Sequence, residues 1–152
     1  MSFTDILIFA VGLNMTAGLG AFGFSFLDDA IGSKKTVIYS LSCLILSGVV
    51  VLFAPSKSAF LITSLFLGLF VGPVQAASRT LAGRLAPVRE ETKIYGFYAL
   101  TGKSIAFLGP LSYGFFSTLF QTQKAGLVSI LLFWSAGLVL MYFVRETKSD
   151  AY

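Results

Sequence analysis

The chain contains no histidine, and its only cysteine is Cys43. Without an imidazole there is no Ser-His relay and no His-ligated metal. One thiol closes no internal disulfide and offers no cysteine metal site. Acids are also few. There are seven Asp and Glu residues in 152, and none lies well inside an uncharged run, so paired carboxylates for acid–base work inside the apolar segments are lacking. Charged residues make up only 12% and hydrophobic residues 56%, where soluble domains carry about 25% charged residues. These shortages exclude a soluble globule and point away from an enzyme, a cofactor or a metal centre. The formal charge of +4 does not indicate nucleic acid, because the basic residues sit in loops beside apolar runs.

Two strings resemble nucleotide motifs and fail on context. Gly18 to Gly23 reads GLGAFG, but a dinucleotide site needs a preceding strand and an accessible helix start. Here the string lies within an apolar run. Thr101 to Ser104 reads TGKS, but position 97 is Phe where a phosphate loop needs glycine.

What the sequence has in quantity is uncharged length. Uncharged runs cover 6–27, 36–56, 58–78, 104–123 and 125–144. A bilayer core of about 30 Å takes roughly 20 helical residues. The expectation is an all-α polytopic membrane protein, one transmembrane region over 1–152, with spans near 6–27, 36–56, 58–78, 95–120 and 125–144. The fourth is extended backwards because Ile94 to Gly102 is also apolar. The connections at 55–58 and 121–125 are short, which predicts helical hairpins. Span 3 is expected to run on past Ser78 until Pro87 stops it.

Lys and Arg set the expected orientation. Lys34, Lys35, Arg79, Arg84, Arg89, Lys93, Arg145 and Lys148 share one side, against Lys57 and Lys124 on the other. The N-terminus is then outside and the C-terminus cytoplasmic, in the plasma or inner membrane. The lipid bilayer is the first partner.

Small residues crowd span 1 (Gly12, Ala17, Gly18, Gly20, Ala21, Gly23), and Gly68 to Gly72 forms GxxxG in span 3. Such faces allow close helix approach in lipid. Gly72-Pro73 and Gly109-Pro110 are candidate helix bends. Polar groups in apolar surroundings are the candidate solute pathway: Asn14, Gln75, Ser78, Arg79, Tyr98 and Lys103. For Asn14 and Gln75 an interhelical hydrogen bond is the plainer reading, and for Lys103 snorkelling to the surface. Asp28, Asp29, Glu90 and Glu91 are candidate partners for Lys103.

The stretch SFLDDAIGSKK, Ser25 to Lys35, resembles the loop signature Gly-x-Leu-x-Asp-Arg-x-Gly-Arg-Lys of the major facilitator superfamily. Leu27, Asp29, Gly32 and Lys34 match. Ser25 stands where that family has glycine, and Ala30 and Ser33 where it commonly has arginine. A second block, Gln75, Ala76, Ser78, Arg79, Leu85, Pro87, Gly96, Tyr98, Gly102, Lys103, Gly109 and Pro110, resembles the vacuole-effluxer-like group of that superfamily, as does the ending VRE at 144–146.

The resemblance covers nearly the whole chain. It implies the last five of twelve helices of a secondary transporter that moves a small solute, amino acids being the class associated with eukaryotic relatives. It further implies that remaining N-terminal helices, or a partner chain, complete the carrier. Within the loop signature, Asp29, Gly32, Lys34 and Lys35 would form a conformational latch, with Asp29 meeting a helix N-terminus, Arg79 or Arg84 in one state. The competing expectations are a small membrane protein that oligomerises through its glycine faces, and a non-functional truncated transporter.

Overall fold

The computed structural model describes residues 3–87 and 90–145. Arg89 and Lys148, counted above among the loop cations, and Glu146 of the VRE ending lie outside the described residues. Within them all regular structure is helical: α1 (Phe3–Ile31), α2 (Ser33–Leu52), α3 (Lys57–Leu85), α4 (Glu91–Ala106), α5 (Leu108–Leu119) and α6 (Gln123–Phe143). The protein is a polytopic all-α membrane protein. Four stretches are long and apolar enough to cross a bilayer: Leu7–Ile31, Ser33–Leu52, Ser58–Leu85 and Gln123–Phe143. Large apolar side chains such as Phe22, Leu46, Ile62 and Leu140 are exposed, while Ser33, Thr36, Ser40, Ser64 and Ser129 are buried. That inversion suits a solvent as apolar as the side chains themselves.

The chain forms two compact units, Met1–Ser78 and Arg79–Tyr152. In the first, a single residue separates α1 from α2. Gly32 has φ 90° and ψ 154°, a region essentially reserved for glycine. Its N–H donates to the Asp28 carbonyl at 3.0 Å, and its own carbonyl accepts from the Thr36 N–H at 3.1 Å. α2 then buries one face through Ser33, Val37, Ser40, Leu44, Gly48 and Val51, spaced three or four apart as a helical stripe requires. After α2, Ser56 starts α3 by accepting the Ala59 N–H on its hydroxyl at 3.2 Å.

α1 and α3 approach backbone to backbone. A Cβ built on Gly20 would overlap the Leu69 carbonyl oxygen, and one built on Gly72 would overlap that of Ala17. The Cα hydrogens of these glycines therefore point at carbonyl oxygens, a geometry worth about 0.5–1 kcal/mol per contact. Pro73 lies inside α3 and is buried. It has no N–H, so the Leu69 carbonyl four residues back loses its helical donor. That freed carbonyl is the one that faces Gly20. Gly68 meets the Thr16 hydroxyl and the Leu13 carbonyl, and Gly12 meets Leu65. Gly18 and Gly23 have nothing within 4 Å of such a Cβ.

In the second unit, α3 ends at Leu85, two residues before Pro87. Where one span is expected over 95–120, the structure has two helices, of 16 and 12 residues. Pro110 cannot donate to the Ala106 carbonyl, and the ladder resumes with Leu111 N–H to Phe107 carbonyl at 3.0 Å. Phe107 itself keeps right-handed helical angles, φ −76° and ψ −21°. α5 turns into α6 through Gln121 at φ 52°. Thr122 N–H bonds the Ser117 carbonyl at 3.1 Å and Gln121 N–H that of Thr118 at 3.4 Å, the paired closure typical of a left-handed helix cap. Gly126 of α6 makes room for Tyr113 and Ser117 of α5.

Two outcomes follow from these close approaches. Gly20→Leu or Gly72→Leu should lower the melting temperature in detergent sharply, whereas Gly18→Leu and Gly23→Leu should leave it nearly unchanged. Gly32→Ala should destabilise by about 1–3 kcal/mol, the cost of a strained backbone region, read as an earlier loss of helicity on heating.

Candidate functional site

The loop signature sits at the junction of α1 and α2, and its two acids differ. Asp28 is buried, and its Oδ1 has no hydrogen-bond partner. Asp29, the signature position, is exposed in the last turn of α1. Their difference follows from helical geometry, because adjacent residues point about 100° apart at 3.6 residues per turn. Lys34 is half-buried in the first turn of α2 and Lys35 is exposed. Ser33 and Ser40 on the same helix have buried hydroxyls without partners. Sequence reasoning offered Asp28 only as a candidate partner for Lys103, and it passed over this serine stripe. The signal available was the spacing of Ser33, Val37, Ser40 and Leu44.

The six candidate pathway residues divide between the two compact units. In the first, Asn14 is exposed, and its Nδ2 donates to the Ala10 carbonyl of its own helix at 2.8 Å. Gln75 is exposed on α3, and Ser78 donates back to the Val74 carbonyl at 2.6 Å. In the second unit, Arg79 is exposed on α3, and its carbonyl accepts from the Tyr95 hydroxyl at 3.5 Å. Tyr98 is half-buried on α4, and its carbonyl accepts from the Thr101 hydroxyl at 3.1 Å. Lys103 is exposed in the last turn of α4, where an ammonium complements the negative end of the helix dipole. Of its candidate partners, Glu90 is held by Lys93 at 2.9 Å. The Glu91 side chain lies outside the described residues.

Among the described residues of the second unit, two cavities stand out. One, of about 420 Å³, is lined by Arg79, Thr80, Gly83, Arg84 and Tyr95. Gly83 admits the Tyr95 hydroxyl to its wall, and a Cβ on Gly83 would strike that hydroxyl. The other, of about 510 Å³, opens between α4, α5 and α6. Thr101, Gly102, Ile105 and Gly109 face Phe133 and Trp134 across it. Arg79 is the one candidate pathway residue that lines either cavity. Gly109 lines the second, and Pro110 follows it on α5.

The family described as "Vacuole effluxer Atg22 like" matches residues 1–151. A curated relative, the uncharacterized MFS-type transporter YxiO of Bacillus subtilis (strain 168), is 29% identical over 115 residues. That alignment takes in 75% of this chain and 26% of the relative, so the chain spans about a quarter of that protein's length. No solved structure matches. The match runs through the loop signature, both Gly-Pro pairs and every candidate pathway residue, and the chain therefore belongs to the vacuole effluxer Atg22-like family of major-facilitator-type, transporter-like proteins.

Proposed function

We propose that this chain is the C-terminal portion of a secondary active transporter that moves a small solute, amino acids being the first class to test. The observation that carries the reading is the family similarity over residues 1–151. In this reading the chain is not an enzyme. α4 and α5 together supply the fifth crossing, the N-terminus lies outside and the C-terminus in the cytoplasm. The remaining helices come from a further segment of a longer chain or from a partner chain. The glycine faces support this over self-association, because Gly20, Gly68 and Gly72 are already occupied by the α1–α3 contact.

Alternating access needs a polar pathway on helices that otherwise face lipid. Asn14, Gln75 and Lys103 are exposed on α1, α3 and α4, and the pathway is proposed to run along them, with Lys103 receiving an anionic solute group. Ser78, Arg79 and Tyr98 extend it toward the loop side. At the α1–α2 junction Asp29, Gly32, Lys34 and Lys35 form the proposed latch. Asp29 is accessible to a docking cation or helix N-terminus, and Gly32 holds the two helices in the one-residue turn.

Uptake of labelled amino acids into proteoliposomes tests this, with the chain reconstituted alone and together with the helices that complete it. Transport is expected only for the completed assembly. Lys103→Gln should reduce it about tenfold or more, the loss associated with one charge-assisted hydrogen bond. An unchanged rate would remove Lys103 from the pathway. Asp29→Asn should change the accessibility of loop-side cysteine probes while the melting temperature stays level. Equal accessibility would dismiss the latch.

A further inference from the structure

We propose that the cavity between the end of α3 and the start of α4 binds a phosphate group, at a site that shares Arg79 with the loop-side end of the proposed solute pathway. Two guanidinium-bearing residues, Arg79 and Arg84, line the same cavity of about 420 Å³, with Thr80, Gly83 and Tyr95. No acid lines it. Glu90, the nearest acid whose side chain is described, is engaged by Lys93 at 2.9 Å. Guanidinium is the side chain suited to phosphate, because its planar fork gives paired hydrogen bonds and it desolvates more readily than ammonium. The phenol of Tyr95 adds a polar wall. It is held there by its hydrogen bond to the Arg79 carbonyl and by the space that Gly83 leaves.

Depth along the helix supports a ligand from the membrane surface. α3 has 29 residues, about 43 Å at 1.5 Å each, against a hydrocarbon core of about 30 Å. Counted from Lys57, the core is crossed by about Ala76. Arg79 and Arg84 stand in the turns that follow, at the level of headgroups. The α3 C-terminus carries the negative end of its dipole. The side chains, rather than backbone amides, must therefore hold the anion, and two cations are what the position requires. The shared chemistry is a phosphate monoanion or phosphodiester. Its source is either an anionic lipid headgroup or free phosphate.

The test reconstitutes the 152-residue chain in bilayers of phosphatidylcholine alone, and of equal parts phosphatidylcholine and phosphatidylglycerol. Native mass spectrometry counts the lipid that remains bound. Two interfacial cations are worth about a 30-fold preference for the anionic lipid. That preference should collapse in Arg79→Gln/Arg84→Gln and persist in Lys124→Gln, a cation outside the cavity. Arg79→Lys/Arg84→Lys keeps the charge and guards against a folding failure; it should keep part of the preference. In pure phosphatidylcholine, inorganic phosphate is titrated against chloride at equal ionic strength. A melting shift lost in the double Gln variant identifies free phosphate as a ligand. Lipid retention without that shift identifies the headgroup. If the wild-type chain shows neither, or if both responses survive in the double Gln variant, the site does not exist. Both readouts are independent of transport, so they stand whether or not the solute pathway proves correct.

Discussion

The contact between α1 and α3 is made by backbone, and that places the strictest limit on which residues this chain tolerates. Lipid supplies no hydrophobic drive to bring helices together, so association rests on close packing and polar contacts. Here two glycines aim Cα hydrogens at carbonyls of the opposite helix, Gly20 at Leu69 and Gly72 at Ala17. Pro73 has a specific part in this, since its missing N–H frees the Leu69 carbonyl that Gly20 meets. A proline that would only weaken a helix in water becomes a source of interhelical contact. Gly68 and Gly12 extend the seam on the same face, while Gly18 and Gly23 stand outside it.

The same economy governs polar groups elsewhere. Most hydroxyls in the apolar segments bond back to a carbonyl three or four residues earlier, as Thr63, Ser78, Ser112 and Ser135 do. Such groups are satisfied within their own helix and need no partner. Asp28, Ser33 and Ser40 differ: they are buried and carry an oxygen without a partner. Asp28 and Ser33 flank the one-residue turn at Gly32, where the family signature also falls, and Ser40 lies about two turns further along α2. In the second unit, α4 is exposed along Ala99 to Ala106, and it carries Lys103 into that exposed stretch.

Much of the architecture was legible from charge spacing alone. The runs 6–27 and 58–78 fall within α1 and α3, and 36–56 and 125–144 largely overlap α2 and α6, because a bilayer requires unbroken apolar length and every charge ends a run. The pair α4 and α5 was harder to read. The apolar pattern runs through both, and only the Gly109-Pro110 step marks the interruption. At the loop signature the sequence pointed to Asp29 by alignment, whereas the buried carboxylate is Asp28. The cavity of Arg79, Arg84 and Tyr95 had no sequence signature, since Tyr95 lies 16 residues from Arg79 and enters only because Gly83 admits it.

By itself the sequence determined that the chain lives in a membrane and that it is helical. Those properties depend on local composition and on helix rise, which need no knowledge of neighbours. Which glycines carry an interface, which of two adjacent acids is buried, and which arginines share a cavity were decided by tertiary structure. Each depends on the rotation of one helix against another. A turn of about 100° per residue moves a side chain from lipid to contact, and composition cannot report that angle.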